Sequence, residues 1–270
     1  MEARILDHRT EPALDLRRQA KKARKVSLFR KSDDHPISLP CPALAASTPA
    51  VPLRNARQCL ALVATIAAVM SAALRHALTD PGEPPLRPLS NQVNELLESL
   101  NAPPRLAAHL RAVHDVAWHL TQALAARFPR LTFDREAVLF GAATHDIGKT
   151  VHMGELSGPG SAHEQTGYGL LLRHGVDDTL ARFARTHASW HLPDIAIDDL
   201  LVSVADKVWK GNRVIDLEQL VVDRIAAVTG REPWRAFMEL DDILGRLAAG
   251  ADDRLRFQAS HAIHRSEAGR

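Results

Sequence analysis

Cysteine is nearly absent from this chain. Its two cysteines, Cys41 and Cys59, both precede residue 60, so neither a disulfide framework nor a thiolate zinc site belongs to the remaining sequence, and a reducing cytoplasm is the expected compartment. An excess of one charge is also lacking. The formal net charge of +2 over 270 residues excludes a strongly basic polyanion binder. One basic run, Arg17 to Lys31, holds eight Lys/Arg and no acid, which gives no strong nucleic-acid signal. No stretch reads as a membrane span: the apolar run Cys59 to Leu74 is sixteen residues, short of the roughly 20 needed. It also begins too far from Met1 for a standard cleaved signal. Strand-like alternation, sequence repeats and a glycine-rich phosphate loop are missing too.

Aromatic residues are scarce, and their distribution divides the chain. Residues 1–100 contain one, Phe29, and carry Pro36, Pro40, Pro42, Pro49 and Pro52, then Pro81, Pro84, Pro85 and Pro88. This N-terminal extension is expected to be largely disordered, or helical in places, with Met70 as an alternative start. All four tryptophans and Tyr168 follow residue 100. The folded domain is therefore placed at 101–250, with 251–270 as a C-terminal helix or tail.

Within that domain the apolar spacing is helical. Leu106, Leu110, Val113, Ala117, Leu120, Leu124 and Phe128 recur at three and four, with His114 beside the stripe. A second helix runs from an Asp134 cap to His145, stopped by Gly148. A third opens on a capping box, Ser161 to Glu164, and ends at Gly175. A fourth is expected from Asp177 to just before Pro193, with Leu180, Ala184, His187 and His191 sharing a face. A fifth starts near Asp198 and holds Asp206 inside an apolar run. Asp216 to Val228 and Pro233 to Ala249 follow, the last with proline in its first turn.

What the sequence does have is histidine. Nine of its fourteen lie between His109 and His191. Taken singly, His114, His163 and His187 read as packed or solvated histidines, and His145-Asp146 as a helix end. Asp206 is different, because a carboxylate among Val202, Val204, Ala205 and Val208 must be paired, protonated or metal-bound if buried. Together, His114, His145, Asp146, His163, His187 and Asp206 offer inward nitrogen and oxygen donors from five helices, as helical bundles do around metal sites. Imidazole with carboxylate suits one or two ions of manganese, iron, cobalt, nickel or zinc better than magnesium. Asp146, adjacent to His145, is the candidate bridge, and two ions would activate a water during phosphoryl displacement.

The ordered set His114, His145-Asp146, His163, His187, Asp206 resembles the HD domain superfamily of metal-dependent phosphohydrolases. "HDIGK" (His145 to Lys149), "HEQTGYGLL" (His163 to Leu171) and "VADKV" (Val204 to Val208) are similar to its three blocks, across about Leu106 to Arg213. The resemblance implies an all-α HD-domain bundle in which His114, His145, Asp146 and Asp206 are core ligands. His163 and His187 complete a second metal site, or meet substrate phosphate where one ion binds. Asp146 and Lys149 are the implied catalytic residues. Lys149 matches a lysine that meets phosphate or orients the bridging carboxylate, and Lys210 and Arg213 are placed with it as substrate-binding. His152, His174 and His191 are left at the surface or behind the ligands.

The implied activity is hydrolysis of a phosphoester or phosphoanhydride in a small phosphorylated molecule such as a nucleotide. His187-Ala-Ser-Trp-His-Leu-Pro replaces the block typical of the cyclic-dinucleotide phosphodiesterase branch. The motif order is also similar to small stand-alone members, among them bacterial diadenosine-tetraphosphate hydrolases. Two rivals keep the same fold: a di-iron oxygenase using the same six ligands, and a nucleotide-sensing domain without catalysis.

Overall fold

The computed structural model of the protein describes residues 72–263. The disorder expected for residues 1–71, the basic run and most of the Cys59 to Leu74 run lie outside those residues. Among the described residues there is no strand, and no helix is long and apolar enough to cross a membrane.

The fold is organised on one long helix. After helical residues 72–79 come α1 (Asn91–Ser99) and the 24-residue α2 (Pro104–Arg127). Alanine and leucine dominate α2, and Pro104 sits in its first turn, where a missing N–H costs nothing. Next come α3 (Arg135–Thr144) and two 3-10 turns, Ile147–Thr150 and Met153–Leu156. Then follow α4 (Ala162–Arg173), the four-residue helices α5 (Asp178–Ala181) and α6 (Phe183–Thr186), and α7 (Ile197–Val208). The chain continues through α8 (Ile215–Thr229), α9 (Pro233–Ala249) and α10 (Ala251–Ser260).

Helix α2 is buried on most of its circumference because two cores meet on it. Ala112, Val113, Val116, Leu120 and Leu124 join Leu200, Leu201, Val204 and Val208 of α7 and the inner faces of α8 and α9. Leu106, Ala107 and Leu110 join the other core with Leu74, Leu78, Val93, Leu97, Ile147 and Leu171. Each such leucine contributes about 1.5–3 kcal/mol on burial. Gly141 of α3 is the price of close packing here, since a Cβ would fall 2.6 Å from the Phe183 ring and 2.9 Å from Val202.

Three expectations fail. The domain does not begin at residue 101, because residues 72–100 are built into it. Arg111, 2 % exposed, donates to the carbonyls of Ala77 (2.8 Å), Asp80 (2.6 Å) and Leu86 (3.4 Å), and Arg87 N donates to Asp115. The prolines of 81–88 thus form a turn that wraps a buried guanidinium, and short aliphatic side chains supply the core that aromatic content suggested was missing. Nor does the domain end at 250, since Phe257 of α10 enters the large core and Arg254 donates to Trp209 O at 2.7 Å. The expected fourth helix is two short ones. They meet at Arg182, whose backbone stays right-handed helical while its side chain turns back to Thr179 O and across to Asp199. His187 closes α6 with Nδ1 against the carbonyls of Phe183 (3.3 Å) and Ala184 (3.1 Å), competing for groups a continuing helix would use. His191 is exposed, not on a shared face with His187.

Candidate metal centre

Six buried polar side chains converge where the ends of several helices meet α2. His109 comes from the second turn of α2 and Asp206 from the last turn of α7. Neighbouring residues on a continuous helix point about 100° apart, yet His145 and Asp146 face one centre. The helix ends between them: His145 closes α3, and Asp146 (φ −98, ψ 10) turns the chain into the first 3-10 segment. His163 lies in the first turn of α4, and His187 follows α6. The start of α4 comes so close that a Cβ at Gly148 would lie 2.0 Å from His163 O.

The ligand atoms fall into two trios, His109–His145–Asp206 and Asp146–His163–His187. In the first, His145 Nε2 is 3.4 Å from His109 Nε2 and 3.3 Å from Asp206 Oδ1, and His109 Nε2 is 3.9 Å from that oxygen. In the second, Asp146 Oδ1 is 3.0 Å from His163 Nε2 and 3.7 Å from His187 Nε2. The other oxygen of Asp146, Oδ2, lies 3.1 Å from His109 Nε2 and 3.5 Å from His145 Nε2.

These contacts fit metal ligation better than hydrogen bonding. Donors bound at about 2.0–2.2 Å to one ion sit roughly 3.0–3.5 Å apart, which is where most of these pairs lie. His163 Nε2, 3.0 Å from Asp146 Oδ1, is buried with no geometrically assigned hydrogen-bond partner. The far nitrogens are fixed: His145 Nδ1 meets Ala142 O at 3.0 Å, His187 Nδ1 the carbonyls of α6, and His163 Nδ1 meets Glu155 Oε2 at 2.5 Å. A ring that donates from Nδ1 presents the Nε2 lone pair to the centre. The buried His/Asp clusters could therefore bind a metal.

Charge at the site follows burial and proximity. Burial by itself would raise the Asp146 carboxyl, but His145, then His109 and His163, outweigh it and hold it well below the usual range. Asp206 is likewise raised by burial and pulled below its ordinary value by His145 and Lys207. Burial pushes His187 down to about 4 and lowers His109, keeping both neutral near pH 7. His163 goes the other way: burial lowers it, and Asp146 and Glu155 more than compensate. Lys149 Nζ and Lys207 Nζ each sit 2.6 Å from an Oδ2, of Asp146 and Asp206 respectively.

Five of the six expected ligands meet here; His114 does not. Five positions after His109, it lies about 140° further round α2. It lines a separate cavity with Ser90, Gln92 and Asp134, where burial lowers it to about 4. His109 takes the place given to His114. The two flank one apolar stripe at opposite edges, and spacing alone does not say which edge faces α7. Arg213 is corrected too. It forms a fork on Glu218 (2.7 and 2.7 Å) and reaches Asp241 (2.8 Å), because the chain leaves α7 before reaching it. Lys149 and Lys210 do line the cavity of about 330 Å³ above the trios, with Glu164, Lys207, Trp209 and Gln258. His152 meets Thr166 and His174 meets Leu170 O.

Sequence reasoning also missed Glu155 and Gln258. Ser161 makes no side-chain cap; instead Glu155 accepts from Ala162 N and His163 N, each at 3.1 Å. No local spacing marks a carboxylate that reaches seven and eight residues forward from a turn. No curated protein and no solved structure matches the chain. Residues 106–210 match the model of the HD domain family, and this segment holds all six converging side chains. The HD domain match is confined to this segment of the chain.

Proposed function

We propose that the protein is a metal-dependent phosphohydrolase that binds two transition-metal ions and hydrolyses a phosphoester or phosphoanhydride of a small phosphorylated molecule, a nucleotide among the candidates. HD domains are generally metal-dependent phosphohydrolases, which supports the reaction class. The observation that carries the dinuclear reading is the division of Asp146, whose Oδ2 faces His109 and His145 while Oδ1 faces His163 and His187. His109, His145, Asp206 and Asp146 would hold one ion, and Asp146, His163 and His187 the other. Bound there, divalent transition ions lower the pKa of a water and neutralise phosphoryl oxygens.

The chain's own residues do the rest. Lys149 fixes the shared carboxylate and brings a positive charge to the cavity, where it favours charge developing on a phosphoryl group. Lys207 orients Asp206 in the same way. Lys210, at the rim, makes no ion pair with a described residue and is free to meet an anionic substrate. Trp209, 4 % exposed, packs edge-on against His109 at 4.8 Å and so supports the orientation of that ring.

The test is metal analysis of purified protein followed by assays on phosphomonoesters, phosphodiesters and dinucleoside polyphosphates. Hydrolysis lost in chelator and restored by manganese or cobalt is the expected result. Full activity in excess chelator, or oxygen consumption by the iron-loaded protein without hydrolysis, would overturn it.

A further inference from the structure

Glu155 stands outside the ligand set, in the second 3-10 turn, with its side chain only 14 % exposed. Its carboxylate takes three donors. Oε1 accepts from Ala162 N, and Oε2 accepts from both His163 N and His163 Nδ1. The first turn of any helix leaves N–H groups without intrahelical partners. Here a distant carboxylate satisfies two of them, and Gly160 leaves it room: a Cβ there would lie 2.3 Å from Glu155 Oε1. One side chain therefore fixes both where α4 begins and how the ring of its first ligand is turned.

The chemical consequence concerns the proton on His163. A carboxylate only accepts, so Nδ1 must donate at 2.5 Å, and a neutral imidazole then has a lone pair at Nε2. That nitrogen is the one facing Asp146 Oδ1. His145 and His187 receive the same tautomer from main-chain carbonyls of their own helices. At the start of α4 no such carbonyl lies behind the ring, so His163 depends on a side chain.

We propose that Glu155 is the positioning residue of the second trio: by holding the Nδ1–H tautomer of His163 and capping α4 with the same carboxylate, it determines whether that trio takes an ion. This rests on the reading of His163 as a ligand. The test therefore includes a measurement made without metal.

In the full-length, metal-free protein at pH 8.5, long-range proton–nitrogen NMR should find His163 protonated at Nδ1. In Glu155→Ala it should shift toward Nε2–H. Zinc titration should then show the tighter site unchanged and the second ion bound about 10–100-fold more weakly, as when a partner behind a metal-bound histidine is lost. Glu155→Gln keeps an oxygen for the imidazole and should restore the tautomer and most of the second-site affinity. An unchanged tautomer in Glu155→Ala, or second-ion affinity within two-fold of wild type, overturns the proposal. If wild type takes only one ion, the dinuclear reading fails, while the tautomer still decides the part played by Glu155. If Glu155→Ala does not fold, Glu155→Gln decides: an Nε2–H ring in that variant is the overturning result.

Discussion

The two candidate trios are built differently. His109 and Asp206 stand on α2 and α7, the two helices most deeply packed in the large core. His163 and His187 stand at helix ends: one in a first turn, the other just past a four-residue helix. A ligand on a packed helix is positioned by many contacts at once, whereas a ligand at a helix end is positioned by the few hydrogen bonds that tie that end down. Two members of the first trio are thus pre-formed by the core, whereas His145, which closes α3, and both histidines of the second trio rely on local tethers. If both trios take ions, as proposed, the difference predicts ordered filling, with the His109–His145–Asp206 position tighter.

The most damaging way to probe this division is to remove the group both halves share. Asp146→Ala should cost both ions much of their affinity and lower turnover on the order of a thousand-fold or more, about 4 kcal/mol of transition-state stabilisation. Metal content by elemental analysis and kcat/KM measure it, and near wild-type turnover would remove the shared-carboxylate argument. Next in size, His109→Ala should empty the tighter position, whereas His163→Ala or His187→Ala should leave one ion per chain and reduce turnover roughly 10–100-fold. Equal metal loss from all three variants would erase the distinction between the trios.

The same contrast shows which features the sequence makes legible. Five converging residues, His145, Asp146, His163, His187 and Asp206, can be read from their order along helical segments, because four lie in blocks with a local signature and His187 follows the apolar spacing of Leu180 and Ala184. His109 cannot: it and His114 border one apolar stripe, and the choice between edges is made by α7 packing on one side of α2 and α1 on the other. The helix starts at Asp134 and Pro233 follow from local capping chemistry. The start of α4 does not, since Glu155 captures the N–H groups that Ser161 was expected to satisfy. Residues 72–100 are misjudged for a similar reason, as their order depends on Arg111, a long-range partner that proline and aromatic counts do not register.

His114 sharpens the comparison from outside both trios. Half-buried and lowered to about 4 from 6.5, it is neutral in the folded protein at neutral pH, while the unfolded chain binds its proton more readily. Stability is then present above about pH 6.5 and falls as pH drops toward 4, by about 2 kcal/mol at pH 4.5 from this residue. His114→Gln should flatten the pH dependence of urea midpoints in chelated protein between pH 7 and 4.5, with metal content at pH 7.5 unchanged. His187 carries the same sign, so the chelated His114→Gln variant should keep part of the slope. Loss of an ion in His114→Gln would return this residue to the ligand set.

The smallest expected effects separate two cations near the C-terminal end of α7 that spacing alone treats alike. Lys210 lines the cavity without an ion-pair partner among the described residues, so Lys210→Ala removes only a contact with an anionic substrate. A KM several-fold higher, with kcat and folding stability unchanged, is expected if that contact is equal in ground and transition states. Arg213 is committed elsewhere. Glu218, 5 % exposed, receives both arms of its fork, and Glu218 first, then Asp241, raise the guanidinium pKa. Arg213→Ala leaves that carboxylate buried with only Val214 N as a partner, at a cost of about 1–3 kcal/mol. Its signature is therefore a lower urea midpoint with KM unchanged, the reverse of Lys210→Ala. A raised KM in Arg213→Ala at full stability would mean that the chain after α7 opens its fork to the substrate, and that the cavity extends one turn further than its present lining.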